Sequence, residues 1–249
     1  VTKAVEYFRP APVPEIIASI GTSYAVLLTA ADEDAVSCDA CHLTVPGTLQ
    51  RAVPSRVRSY LAGRHCATRS LRDLYAGLGL PRTPVPPDTG AFGAPLWPPG
   101  IVGSITHSAT LAIAVVARRE IVQGIGIDCE VIMSADAADE VAGRIVPEEG
   151  TAAAFRTEAL TLGRPVFVTA VFSAKESIYK CLNPLTGVFF GFDAVTLEWI
   201  DPDAGRMGFR VVRDLGPAAP AGLELTVRLV VDAQHVVTAV SLPADTRCG

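Results

Sequence analysis

The chain lacks any run of about 18 consecutive apolar residues, the minimum for a helical membrane span. Its best candidate, residues 16–31, is broken by Gly21, Thr22, Ser23 and Tyr24. A secretion signal is not expected either. Pro10, Pro12, Pro14 and Glu15 stand where a continuous apolar core would be needed, and Asp32-Glu33-Asp34 follows. Residues 24–29 therefore read as a buried strand, and the protein as cytoplasmic, without a membrane partner. There is no basic surplus: 21 Lys and Arg face 26 Asp and Glu, a formal net charge of −5. That balance disfavours an electrostatic nucleic-acid binder but leaves room for a local basic pocket around a phosphorylated small molecule. Six cysteines, at 38, 41, 66, 129, 181 and 248, are too scattered for a disulfide framework and read as free thiols. Cys38 and Cys41 have metal-like spacing, but no second such pair completes a zinc site, so they read as an irregular loop. Short repeats and low-complexity tails are absent too.

What is present is the composition of a compact protein, 49% hydrophobic and 19% charged. The 249 residues suffice for one large domain or for two halves of about 120 residues, each with its own core. Pro54-Ser55 opens a helical pattern carried by Val57, Leu61, Leu71, Leu74, Tyr75 and Leu78, and Gly77 and Gly79 weaken its end. Arg56, Tyr60 and Arg64 fall at i, i+4 and i+8, on one face of that helix. Seven prolines and three glycines between Pro81 and Gly100 make a stiff, non-helical connector. Three β-like runs follow, at 101–105, 111–117 and 124–130.

Helical patterns dominate from Ser134, a plausible N-cap, to Asn183-Pro184, which is expected to end the last helix, with Pro147 in the first turn of a helix between. The tail returns to strands: Val195, Leu197 and Trp199 alternate with polar neighbours, and residues 223–231 pair with 235–242 across a short turn. Two similar α+β halves meeting near residue 125, or a single three-layer domain, both satisfy this order.

Three stretches carry chemistry. In Gly124-Ile125-Gly126-Ile127-Asp128-Cys129-Glu130, a strand would put Asp128 and Glu130 on one face, where both can reach a hard cation such as Mg²⁺. A polar strand end fits that stretch equally well. No G-x-G-x-x-G opens a helix there, so a dinucleotide fingerprint is excluded. In Phe172-Ser173-Ala174-Lys175-Glu176-Ser177-Ile178-Tyr179-Lys180, a helix would turn Phe167, Ala170, Ala174, Ile178 and Leu182 to the core. Ser173, Glu176 and Lys180 would lie on another face.

Glu176 and Lys180 are either an ordinary surface ion pair or functional: Glu176 as third carboxylate beside Asp128 and Glu130, Lys180 as countercharge to a phosphate. Three gathered acids raise one another's pKa, and a divalent cation relieves that repulsion. In the third stretch, residues 93–108, a strand running into Thr106-His107 offers a hydroxyl, backbone N–H groups and an imidazole for phosphate. Ser104 and Ser108 lack the G-x-S-x-G elbow of a hydrolase nucleophile.

Taken in order, G-x-P-x-W-P, G-S-I-T-H, G-I-D-x-E and F-S-A-K-E-S-x-Y-K resemble the Sfp-type 4'-phosphopantetheinyl transferases, in particular their enterobactin-synthesis branch. Arg56 to Tyr60, Gly63-Arg64-His65-Cys66-Ala67 and Gly191-Phe192-Asp193-Ala194 extend the likeness, which runs from about residue 51 to 199. The resemblance implies an α+β fold of two pseudo-symmetric α/β halves, residues 1–125 and 126–249, with the active site in the cleft between them. The first half would supply coenzyme A nucleotide contacts, and the second the metal acids and catalytic lysine. It also implies an enzyme that moves 4'-phosphopantetheine from coenzyme A to a serine of an acyl or peptidyl carrier protein, with Mg²⁺ as cofactor, acting as a monomer.

By the same resemblance, Asp128, Glu130 and Glu176 match metal-binding acids, Lys180 a pyrophosphate contact and Lys175 a basic residue beside the metal acid. Thr106 and His107 match coenzyme A phosphate contacts, Arg56 and Arg64 hold the 3'-phosphate, and Gly93, Ala94 and Pro95 border the adenine. Glu149 aligns with a further acid. Asp128, Glu176 and Lys180 would be catalytic, with Glu176, directly or through a metal-bound water, the leading candidate for the base that takes the serine proton. Ala91-Phe92 stand where many relatives carry a basic residue, so that contact is not carried over, and nothing is transferred onto the first fifty residues. Two other readings remain open on the sequence: a coenzyme A-binding sensor without catalysis, and an interaction protein whose acids are solvated surface.

Overall fold

A computed structural model describes residues 8–28, 43, 45–81, 83–90, 93–146 and 161–244. Cys38, Cys41, Cys248, Pro147 and Glu149 lie outside them. Residue contacts divide the chain into two units, Val1–Arg118 and Arg119–Gly249; the sequence-based division at 125/126 falls within the strand Val122–Val131. Among the described residues no helix is long and apolar enough to cross a membrane.

Unit 1 runs β1 (Arg9–Ala11), α1 (Glu15–Ala18), β2 (Thr22–Leu27), α2 (Pro54–Gly77), β3 (Asp88–Thr89), β4 (Pro95–Leu96), β5 (Ile101–His107) and β6 (Leu111–Arg118). Its antiparallel sheet has the order β1-β2-β6-β5, and β3 and β4 form a separate ribbon inside the proline-rich connector. β6 reads Leu-Ala-Ile-Ala-Val-Val-Ala because it is a central strand buried on both faces. α2 lays Val57, Leu61, Cys66, Ala67 and Leu71 on this sheet. Small residues let it approach: a Cβ on Gly63 would stand 2.8 Å from Ile105 Cγ2.

Unit 2 runs β7 (Val122–Val131), α3 (Ala135–Ile145), α4 (Arg164–Thr186), β8 (Val195–Asp201), β9 (Arg206–Val211), β10 (Glu224–Val231) and β11 (His235–Pro243). All five strands are antiparallel in the order β7-β11-β10-β9-β8. α4 packs on β7, β11 and β10, with α3 against it. Phe167, Val171, Ala174, Ile178 and Leu182 meet Leu225, Val227, Leu229, Val236 and Val240 in one core. Each large aliphatic side chain buried there contributes about 1.5–3 kcal/mol. As expected, Ser134 caps α3, its hydroxyl accepting from the Ala137 N–H at 3.2 Å.

Two local expectations are corrected. Asn183-Pro184 does not end α4: the helix continues through Pro184 to Thr186. A proline that close to the C-terminus costs one hydrogen bond in the last turn only. The stop is made by Gly187, at φ +67°, whose N–H reaches Asn183 O, while Asn183 Nδ2 donates to Val188 O. Trp199 does not continue the buried alternation of Val195 and Leu197. The pairing of β8 with β9 shifts between Leu197 and Trp199, which exposes Trp199 and buries Ile200.

Candidate active site

The site in unit 2 begins with a period of two. Gly124, Gly126, Asp128 and Glu130 lie on the face of β7 turned to α4. Two of them have no side chain, and that absence decides the geometry. A Cβ on Gly126 would lie 2.7 Å from Ser177 C and 2.8 Å from Cys181 N, both helix backbone. One on Gly124 would meet Leu185 and Cys181. α4 therefore rests directly on the strand, and the residue one turn past its point of closest approach, Lys180, reaches the first acid. Lys180 Nζ donates to Asp128 Oδ1 at 2.7 Å and to the Ile127 carbonyl at 3.2 Å. The Asp128 side chain is 4% exposed and that of Lys180 29%.

Glu130 and Glu176 complete the group electrostatically. Burial pushes the Glu130 carboxyl up to about 7; repulsion from Asp128 and Glu176 adds to this and Lys180 opposes it. Burial also raises the Glu176 pKa, with Lys180 opposing and Asp128 adding. The Tyr179 phenol is raised by burial and by Glu176. The structure thus brings Asp128, Glu130, Glu176 and Lys180 into one field. As these side chains stand, no group of three or more His, Cys, Asp or Glu among the described residues is tight enough to hold a metal ion. The donor set itself is all carboxylate oxygen, suited to a hard cation such as Mg²⁺, whose charge would relieve the repulsion that Asp128 exerts on Glu130 and Glu176.

Lys175 stands apart. It is 2% exposed, and its Nζ donates to the Phe192 carbonyl at 2.8 Å. Burial lowers its pKa to about 8, and Asp193 works against that loss. Sequence reasoning grouped Ser173 with Glu176 and Lys180 but missed its burial, and it missed Ser177 and Thr238 altogether: all three hydroxyls are wholly buried between α4 and β11, both serines bonding to Thr238. The one available signal was Thr238 itself, a polar residue between Val236 and Val240 on an apolar strand face.

In unit 1 the Arg56–Tyr60–Arg64 face of α2 is real but unevenly exposed: Arg56 is exposed, while Arg64 is buried. The Arg64 guanidinium stacks 5.0 Å from the centre of the Tyr60 ring and donates to Thr89 Oγ1 at 2.8 Å. Tyr60 Oη lies 3.3 Å from the same hydroxyl. Because β3 pairs with β4 (Thr89 opposite Pro95), these contacts tie α2 to the segment Gly93-Ala94-Pro95. Gly93 takes φ +79°, a left-handed turn. At the end of β5, Thr106 is buried and His107 exposed, as alternation along a strand requires.

Carboxylates on one strand and one helix, with a lysine between them, suit a phosphate ester held with a divalent cation. Comparison with known proteins specifies the class. The model of the 4'-phosphopantetheinyl transferase N-terminal domain matches residues 45–117, and that of the 4'-phosphopantetheinyl transferase superfamily matches residues 124–240. The chain is 36% identical over 207 residues to 4'-phosphopantetheinyl transferase Svp of Streptomyces mobaraensis, covering 79% of this chain and 76% of that protein. It is 40% identical over 135 residues to enterobactin synthase component D of Salmonella typhimurium, covering 54% and 52%. Against 4'-phosphopantetheinyl transferase PptT of Mycobacterium tuberculosis the identity is 33% over 169 residues, covering 67% and 69%. The chain belongs to the 4'-phosphopantetheinyl transferase superfamily, as an enzyme of the Sfp type.

Proposed function

We propose that the enzyme transfers 4'-phosphopantetheine from coenzyme A to a serine of an acyl or peptidyl carrier protein, with Asp128, Glu130 and Glu176 holding Mg²⁺. The serine oxygen forms a bond to the phosphorus bearing the pantetheine arm. The bond from that phosphorus to the bridging oxygen breaks, and 3',5'-ADP leaves. When bound, Mg²⁺ supplies positive charge to the diphosphate oxygens.

The chain's own residues do the rest. Lys180, held beside Asp128, offsets charge that develops on the leaving side. Glu176, one helical turn from Lys180, takes the serine proton. In unit 1, Arg56 and Arg64 bind the 3'-phosphate, Thr106 and His107 the remaining phosphates, and Gly93 to Pro95 the adenine. A coenzyme A contact by Lys175 requires its ammonium to leave the Phe192 carbonyl. The residues up to about 125 thus serve the nucleotide and those after it the reaction. We place the protein in the cytoplasm, acting as a monomer on carrier proteins.

The observation that carries this reading is the convergence of two motifs, whose paired residues Asp128 and Lys180 are 52 positions apart, on one ion pair and one acid field with Glu130 and Glu176. Asp128→Ala or Glu176→Gln is expected to abolish carrier loading, read by mass spectrometry, while the fold is retained. Turnover like that of the wild type in either variant would refute the assignment.

A further inference from the structure

Thr238 is the residue of β11 directly opposite Asp128 in the ladder with β7. Its side chain is completely buried in a face otherwise made of Val236 and Val240. A lone hydroxyl there would be costly unless bonded. Two serines of α4 meet it: Ser173 Oγ lies 2.9 Å and Ser177 Oγ 2.7 Å from Thr238 Oγ1, both serines also wholly buried. Ser177 Oγ additionally donates to the Thr238 carbonyl at 3.2 Å. Each hydroxyl has one proton, so the last contact fixes the direction of the others. Ser177 spends its proton on the carbonyl and accepts from Thr238, and Thr238 in turn accepts from Ser173. The chain of donors runs Ser173, Thr238, Ser177, backbone carbonyl, with every proton used.

This chain sits where the helix backbone comes closest to the sheet, at Ser177 over Gly126. Lys180 follows one helical turn after Ser177 and Glu176 immediately precedes it. Glu176 and Lys180 are attached to the sheet through this anchor, and Asp128 is its neighbour across the ladder.

We propose that Thr238 is a positioning residue: through the directed hydroxyl chain with Ser173 and Ser177 it sets the height and rotation of α4, and so the meeting of Lys180 with Asp128. The consequence for catalysis rests on the transferase reading above; the geometric consequence does not.

The test compares Thr238→Val, which keeps the shape and removes the hydroxyl, with Thr238→Ser, which keeps the hydroxyl. In carrier loading with Mg²⁺ and coenzyme A, well below the melting temperature, Thr238→Val is expected to lower kcat at least tenfold. KM for coenzyme A should stay within about threefold, and Thr238→Ser should recover most of the loss. A loss that merely follows lower stability would appear equally in a core control of matched melting temperature, such as Leu229→Val. A kcat drop of less than fivefold, a Thr238→Ser variant no better than Thr238→Val, or a control just as impaired overturns the proposal. The second readout is free of activity. Crystal structures of the metal-free wild type and Thr238→Val should show the 2.7 Å contact of Lys180 with Asp128 kept in the first and lost in the second. An unchanged contact also overturns the proposal, whereas a wild type that loads no carrier defeats only the transferase reading. If Thr238→Val does not fold, Ser173→Ala, which removes only the first donor, takes its place under the same thresholds.

Discussion

Gly126→Ala adds one methyl group at the point where α4 rests on β7. The new Cβ would stand 2.7 Å from Ser177 C and 2.8 Å from Cys181 N. The Ser177 carbonyl oxygen lies nearer still, and ordinary carbon contacts need about 3.5 Å, so the helix backbone must retreat by more than about 1 Å. No side-chain rotation can relieve this, because the obstructing atoms are main chain. Overpacking of this kind costs about 1–3 kcal/mol, and the retreat also stretches the Ser177–Thr238 hydroxyl contact, now 2.7 Å. With a total near 3 kcal/mol, the melting temperature should fall by roughly 10 °C for a protein of this size.

Catalysis should suffer as well, because the same retreat carries Lys180 away from Asp128. Calorimetry and a carrier-loading assay run well below the transition read the two effects separately. Gly143→Ala is the matched control: Gly143 lies exposed in α3, with nothing within 4 Å of an added Cβ. There, better helix propensity should raise stability by about 0.5–1 kcal/mol. A Gly126→Ala protein melting within about 2 °C of the wild type would refute the close-approach argument.

Two further outcomes concern pH. Burial depresses Lys175 from 10.5 to about 8, so the unfolded chain holds that proton more tightly. Between pH 8 and 10.5, wild-type stability relative to Lys175→Met should therefore rise, by up to about 3 kcal/mol; a flat difference in denaturant unfolding over that window would contradict it. Glu130 is raised from 4.5 to about 7, so here the folded state binds the extra proton. In chelator-treated protein, wild-type stability relative to Glu130→Gln should decline as pH increases from 4.5 through 7 and level off above. A difference that grows over that range would show the carboxyl to be stabilised as its anion.

Patterns of a few residues were legible where local chemistry governs them. The Ser134 cap, the strand pairing of 223–231 with 235–242 and the apolar face of Phe167, Ala170, Ala174, Ile178 and Leu182 all follow from periods and capping propensities that a window of residues contains. Pro184 and Trp199 were misread for the same reason. Whether a proline ends a helix depends on the αL residue beyond it, and whether a strand keeps its alternation depends on a bulge set by its partner. The shared face of Tyr60 and Arg64 was legible as an i, i+4 pair, but the bond of Arg64 to Thr89 was not, because Thr89 is brought to α2 by chain folding rather than by helical spacing.

By itself the sequence determined the identity and order of the motifs, the side of β7 on which Asp128 and Glu130 fall, and the side of α4 that carries Glu176 and Lys180. These follow from covalent order and from the fixed repeats of strand and helix. Only the tertiary structure decided that the two faces meet, with Lys180 on Asp128 and a buried threonine and two serines beside them. The reason is distance. Glycine at 126 sets how near α4 can come to β7, but nothing within β7 or α4 alone states that they are neighbours; that is fixed by packing the whole core of the second unit.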